Sequence, residues 1–128
     1  MRLAIKSSED IVRMRQLVRE HAIGQGFSLV DQTKLVTAAS ELARNILNYA
    51  GRGQLAIEQV ANGARKGVKL VFSDKGPGIA DIELAMKDGY TTGGGMGLGL
   101  GGSKRLASEF QIESQVGVGT RISLTRWK

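Results

Sequence analysis

Two kinds of hydrophobic spacing take turns along this chain. Residues 2–6 alternate polar and apolar side chains, the period of a short strand. From Ile11 the spacing lengthens, and Ile11, Met14, Val18 and Ala22 share one helical face. Ser7 or Ser8 offers the N-cap, Glu9 and Asp10 fill the first turn, and Gly24 or Gly26 marks the end. A second helical stripe of Leu35, Ala39, Leu42 and Ile46 follows a Ser28/Asp31 capping pair and should stop at Gly51, which makes it the longest element. Residues 54–61 and 68–74 return to period two, and Asn62-Gly63 between them predicts a hairpin. Beyond Gly76-Pro77-Gly78, Asp81 caps a short helix reaching Asp88, and residues 89–95 hold too much glycine for regular structure. A further helix, starting near Leu98 or Gly101, ends at Glu109. Residues 110–116 and 120–126 then form a second hairpin around Gly117-Val118-Gly119. The sum predicts one domain over residues 1–128, an α/β sandwich of the α+β class: a mixed, mostly antiparallel sheet with helices packed on one face.

Composition narrows the function classes. A 128-residue chain with 41% apolar residues can bury one core. No run approaches the ~20 apolar residues of a membrane span, and residues 1–6 lack the pattern of a secretory leader. Cysteine is absent and His21 is the one histidine, which excludes disulfides, thiolate metal sites and histidine clusters and suits a cytoplasmic protein. The net charge of +6 invites a nucleic-acid reading. The basic residues are scattered, however, and three Phe, two Tyr and one Trp make a poor stacking platform. The expectation is therefore neither a nucleic-acid nor a membrane partner, but ATP or an acidic protein partner drawn to a positive surface.

Three segments carry the candidate chemistry. Glu41 and Asn45, four residues apart on the second helix, point the same way, with Asn48 nearly in line. Such a polar line is a solvated face or a cavity wall; in a cavity, the Asn oxygen can complete Mg²⁺ coordination and the carboxylate can take a proton from an attacking hydroxyl. Asp74 stands at a strand end where Gly76 and Gly78, followed by Ile79, let the backbone approach a flat ligand. There it either caps the turn or accepts from an exocyclic amine, a match to adenine and a mismatch to the O6 of guanine. The run Gly93, Gly94, Gly95, Met96, Gly97, Leu98, Gly99 continues to Gly102 and contains a literal G-x-G-x-x-G. No strand precedes it and no βαβ repeat surrounds it, so it is not a Rossmann fingerprint; Ser103-Lys104 is not the Lys-Ser/Thr of a P-loop. Bare amides leading into a helix remain suited to phosphate oxygens. Lys104 and Arg105 are phosphate cations or ordinary exposed charges, and Thr120 reaches a base-bound water or is an ordinary strand residue.

With these residues in place, the chain resembles the GHKL superfamily of gyrase, Hsp90, histidine kinases and MutL over nearly its whole length. Residues 41–45 (Glu-Leu-Ala-Arg-Asn) resemble the N box, residues 74–79 the first glycine box and residues 95–100 the second. Within the superfamily, residues 40–46, 49–54, 57–60, 104–106 and 109–110 look like the small serine/threonine kinases of bacterial partner-switching systems, the stressosome switch kinases among them. The resemblance implies ATP and Mg²⁺ as cofactors, Asn45 on the metal, Glu41 as general base, Asp74 and Gly78 on adenine, and residues 93–99 around the phosphates. It further implies substrates on STAS-domain proteins and, after release from that scaffold, activation of an effector such as a PP2C-type phosphatase. Tyr49 stands where anti-sigma relatives often have His, which argues against an anti-sigma factor kinase. The short span from Gly78 to Gly93 implies a small lid and ready nucleotide exchange. An anti-sigma factor kinase of the same fold and a non-catalytic ATP-binding adaptor are the alternative readings.

Overall fold

Local capping chemistry starts both long helices. The Ser7 hydroxyl accepts from the Asp10 N–H and the Ser28 hydroxyl from the Asp31 N–H, each at the N-terminus of a helix with acid in its first turn. The structure is a computed structural model and describes residues 1–86 and 99–128. Its elements are β1 (Arg2–Ile5), α1 (Ser8–Gly24), α2 (Leu29–Asn45), a π turn (Ile46–Ala50) continuing α2, β2 (Gly53–Asn62), β3 (Arg65–Asp74), α3 (Ile82–Ala85), α4 (Gly99–Arg105), β4 (Glu109–Gln115) and β5 (Gly119–Trp127). Gly51, at φ +80°, ends the second helical run where a stop was expected.

The five strands form one sheet in the order β1-β2-β3-β5-β4. Every pairing is antiparallel, so the expected mostly antiparallel sheet is wholly so among the described residues. Its register sorts side chains into rows. Leu3, Leu55, Phe72, Ile122 and Ile112 lie side by side across all five strands, and Ile57, Leu70, Leu124 and Phe110 form the next inward row. Met14, Val18 and Ala22 of α1 and Leu35, Val36, Ala39 and Leu42 of α2 close over them as one core. The other face of the sheet carries residues such as Glu58, Lys69, Arg121 and Glu113, so the helices lie on one side, as expected.

Several boundaries move. β3 begins at Arg65, which pairs with Asn62 across the turn, and runs through Gly67, where the Trp127 ring lies so near that a Cβ would come within 2.7 Å of it. The last helix stops at Arg105 instead of Glu109. Arg126 Nη1 donates to the Leu106 carbonyl at 2.7 Å, and the Ser108 N–H donates to the Thr125 carbonyl at 2.9 Å, drawing the chain into β4. The helix capped by Asp81 closes after one turn at Ala85, and its expected extension to Asp88 falls outside the described residues. The candidate phosphate residues Gly93, Gly94, Gly95, Met96, Gly97 and Leu98 likewise lie outside them.

Arg126 also ties β5 to the start of α2, through a 2.7 Å bond from Nη2 to Asp31 Oδ1. That hydrogen bond, against the opposing cost of burial, holds the Asp31 carboxyl below its ordinary pKa, with Ser28 assisting. A carboxylate depressed in the folded state contributes stability that is present above its unfolded pKa and lost as pH falls through the folded one. Asp31→Asn should therefore be less stable than wild type at neutral pH, with the difference closing below pH ~4; urea unfolding midpoints at several pH values measure this. A second prediction concerns Gly119, which has φ +147° and presses on the Asp74 carbonyl oxygen where a Cβ would stand. Gly119→Ala should lose ~1–3 kcal/mol of stability in the same assay. Gly117→Ala, in the same turn but with open space about it, should lose less.

Candidate functional site

Below the inward apolar rows the same register places one polar row. Gly53 pairs with Asp74, Asp74 with Thr120 and Thr120 with Ser114, so three polar side chains follow Leu55, Phe72, Ile122 and Ile112 onto the core side of the sheet. Beside this row opens a cleft of about 400 Å³, the size of a small-ligand pocket. Its walls are largely apolar: Leu42 and Ile46 from the second helix, Phe72 and Ile122 from the sheet, Ile79, Leu84 and Ala85 from the following segment and Leu100 from α4. Among them stand Asn45, Tyr49, Asp74, Asp81 and Thr120.

Five of the residues singled out in the sequence meet here: Asn45, Asp74, Gly78, Ile79 and Thr120 all line the cleft. Gly76 stands behind Asp74 and donates its N–H to Asp74 Oδ1 at 2.8 Å, which orients the carboxylate and leaves Oδ2 available. Gly76 has to be small, since a Cβ would lie 2.6 Å from that of Ala50. Gly78, at φ +79°, lies on the backbone of Gln115 and Val116, and the Gly117 N–H donates to the Pro77 carbonyl at 2.8 Å. The segment after β3 is thereby fastened to the β4–β5 turn.

Glu41 stands one helical turn before Asn45 and is set apart from the cleft walls among the described residues. It is only 6% exposed, because α1, β3 and α4 pack around α2, and its Oε2 lies 3.3 Å from Nη1 of half-exposed Arg44. Asn48, expected in line with Glu41 and Asn45, is exposed, and Tyr49 lines the cleft instead. A π turn carries about one more residue than an α turn, which moves the position above Asn45 onward by one. Lys104 is exposed on the last turn of α4 and absent from the cleft walls, and Gly99 begins that helix.

Sequence reasoning missed Ser114 and Gly119 in this region. Ser114 Oγ accepts from the Ile79 N–H at 2.7 Å and lies 2.8 Å from Thr120 Oγ1. A signal existed: Phe110, Ile112 and Ser114 occupy alternate positions of one strand, and a polar residue at the end of an inward row has a partner or a ligand to meet. For Gly119, the signal was a second glycine in a hairpin turn that needs one.

The donor set suits a nucleotide with magnesium. The side-chain amide of Asn45 makes no hydrogen bond to a described residue, and no group of three or more acidic or histidine side chains is gathered among them. One amide oxygen at a cleft wall can complete the shell of a cation held otherwise by phosphates and waters. No helix of the described residues is long and apolar enough to cross a membrane.

Comparison with known proteins agrees with this geometry. Residues 30–128 match the family of histidine kinase-, DNA gyrase B- and HSP90-like ATPases. The chain is 52% identical over 123 residues to the serine/threonine-protein kinase RsbT of Bacillus subtilis (strain 168), covering 96% of this chain and 92% of that one. In fold it is similar to the mycobacterial sensor histidine kinase MprB, with a TM-score of 0.58 at 16% identity over 99% of this chain and 96% of the other. The polar row at the end of the sheet, the asparagine on the neighbouring helix and the sequence match over nearly the full length agree: this chain belongs to the histidine kinase-, DNA gyrase B- and HSP90-like ATPases, on the serine/threonine protein kinase branch that includes RsbT.

Proposed function

We propose that this chain is an ATP- and Mg²⁺-dependent switch kinase of a partner-switching module, phosphorylating serine or threonine residues of STAS-domain proteins and, once released from them, activating an effector such as a PP2C-type phosphatase. The observation that carries the reading is the sharing of one apolar cleft by Asp74 and Asn45, with Glu41 one turn away, in a chain 52% identical to a serine/threonine kinase. Asp74 Oδ2 would accept from the exocyclic amine of adenine while Phe72, Ile79 and Ile122 cover the ring. Asn45 would hold Mg²⁺, which supplies charge neutralisation on the polyphosphate when bound. The glycine run 93–99, and Lys104 where it reaches the tail, would cradle the phosphates.

In the transfer itself, the acceptor oxygen bonds to the γ-phosphorus as the bond from that phosphorus to the β,γ-bridging oxygen breaks, ADP departs, and the hydroxyl proton passes to the Glu41 carboxylate. The 3.3 Å pairing with Arg44 fixes that carboxylate on the helix turn below Asn45. A second reading, a nucleotide-sensing adaptor that binds ATP and a partner without transferring phosphate, follows from the burial of Glu41 and its absence from the cleft-lining residues among those described.

Incubation of a STAS-domain partner with the protein and MgATP, followed by mass spectrometry, separates the two. Phosphate on a serine or threonine is expected, and none with wild-type protein would leave the adaptor. Glu41→Ala should bind ATP within about threefold of wild type and lose ~10²–10⁴ in transfer rate. Asn45→Ala should lose the Mg²⁺-dependent part of ATP affinity in calorimetry with and without the metal. For Asp74→Asn, ATP affinity should fall about ten- to a hundredfold; an unchanged value would remove its role at the base.

A further inference from the structure

Thr120 is a cleft residue whose hydroxyl polarity is set by a neighbour. Ser114 Oγ has three contacts: the Ile79 N–H at 2.7 Å, Thr120 Oγ1 at 2.8 Å and the Gly119 carbonyl at 3.2 Å. A serine hydroxyl has one proton and two acceptor positions, and the Ile79 N–H fills one of those. Two arrangements remain. In the first, Ser114 donates to Gly119 and Thr120 donates to Ser114, so Thr120 offers only lone pairs to the cleft. In the second, Ser114 donates to Thr120, and the Thr120 proton is released to an acceptor in the cleft. Passing from the first to the second gives up the 3.2 Å contact, the longest of the three and the weakest by geometry.

We propose that Ser114 is a positioning residue of the adenine end: it lets Thr120 turn its hydroxyl proton toward a base-edge acceptor at small cost, and it fastens the Ile79 wall to β4 with the same oxygen. The inference rests on the reading of the cleft as an ATP site. The register supports it, because Asp74, Thr120 and Ser114 are consecutive members of one cross-strand row. Adenine presents an amine beside a ring nitrogen, a donor next to an acceptor. Asp74 Oδ2 beside a Thr120 donor offers the complementary pair, and only the second arrangement of Ser114 makes Thr120 a donor. Ser114 is half-buried and is not among the cleft-lining residues, so it would act on the base only through Thr120 and Ile79, and its effect belongs to binding and not to the transfer step.

The test is a double-mutant cycle read by calorimetric titration of the full chain with MgATP, with Ser114→Ala, Thr120→Val and the pair, and Ser114→Thr as the conservative variant. Ser114→Ala should weaken ATP binding about tenfold and raise KM while kcat stays within about threefold, and Ser114→Thr should restore both. Thr120→Val should cost about tenfold in the wild-type background and about twofold or less beside Ser114→Ala, because without Ser114 Oγ nothing holds the Thr120 hydroxyl in the orientation that meets the base. Equal losses for Thr120→Val in the two backgrounds would overturn the coupling, as would unchanged ATP affinity in Ser114→Ala or failure of Ser114→Thr to restore it. Thermal unfolding of each variant shows that the titrated protein is folded. A folded wild type that binds no ATP would overturn the nucleotide reading itself, an outcome distinct from wild-type binding that ignores Ser114.

Discussion

The register of the antiparallel sheet is the constraint on which the rest of the molecule depends. Side chains of a strand alternate between faces, so burying Leu55, Phe72, Ile122 and Ile112 under the helices commits every second residue of β2, β3, β5 and β4 to the same side. Two residues beyond that row stand Gly53, Asp74, Thr120 and Ser114. A slip by one residue in any strand would direct Ser73, Arg121 or Glu113 at the core and turn the polar row to the opposite face. The free energy that fixes the core therefore also fixes the site, with the polar groups added at the end of rows that apolar burial has already aligned.

The second helix carries the opposite burden. Residues 38–43 of α2 are buried on all sides, an unusual condition for a helix bearing a glutamate, and one that follows from its position between α1, β3 and α4. Ser40 meets the condition by returning its hydroxyl to the Val36 carbonyl at 2.7 Å, and Glu41 by pairing with Arg44. At Asn45 the helix meets the cleft and loosens into the π turn, which redirects Tyr49 into the wall before Gly51 ends the run. Insertions of this kind recur where a helix passes a ligand site. Here it joins a helix packed for burial to a cleft wall that carries Asn45 and Tyr49.

How much of this was legible in the sequence follows from which interactions are local. The strands, both long helices and their caps rest on spacing and on hydrogen bonds within three or four residues, as at Ser7, Ser28 and Gly51, and those elements stood out. The departures came from contacts distant in sequence. Gly67 reads as a strand breaker until Trp127 is laid upon it, and the end of α4 is set by Arg126, 20 residues beyond the carbonyl it holds. Asn45, Asp74, Gly78, Ile79 and Thr120 were readable as candidates because their residue types suit a nucleotide. That Thr120 meets Ser114, and that Glu41 is buried beside Arg44, depends on register and packing that spacing alone does not reveal.

The site thus joins two kinds of support that fail differently. Asp74, Thr120 and Ser114 sit at strand ends and are held by short bonds to backbone and to each other, so their geometry depends on the sheet and on the close contacts at Gly78 and Gly119. Glu41 and Asn45 sit on a helix whose position depends on apolar packing, with Leu42 between them in the core. The two sets meet across Phe72 and Ile46, which line the cleft and belong to the same core cluster. The polar row at the strand ends and the polar residues of the helix can accordingly be altered on separate elements. A change in the apolar contact between those elements, by contrast, shifts one set against the other, and reactions that depend on positioning are sensitive to errors on the order of 1 Å.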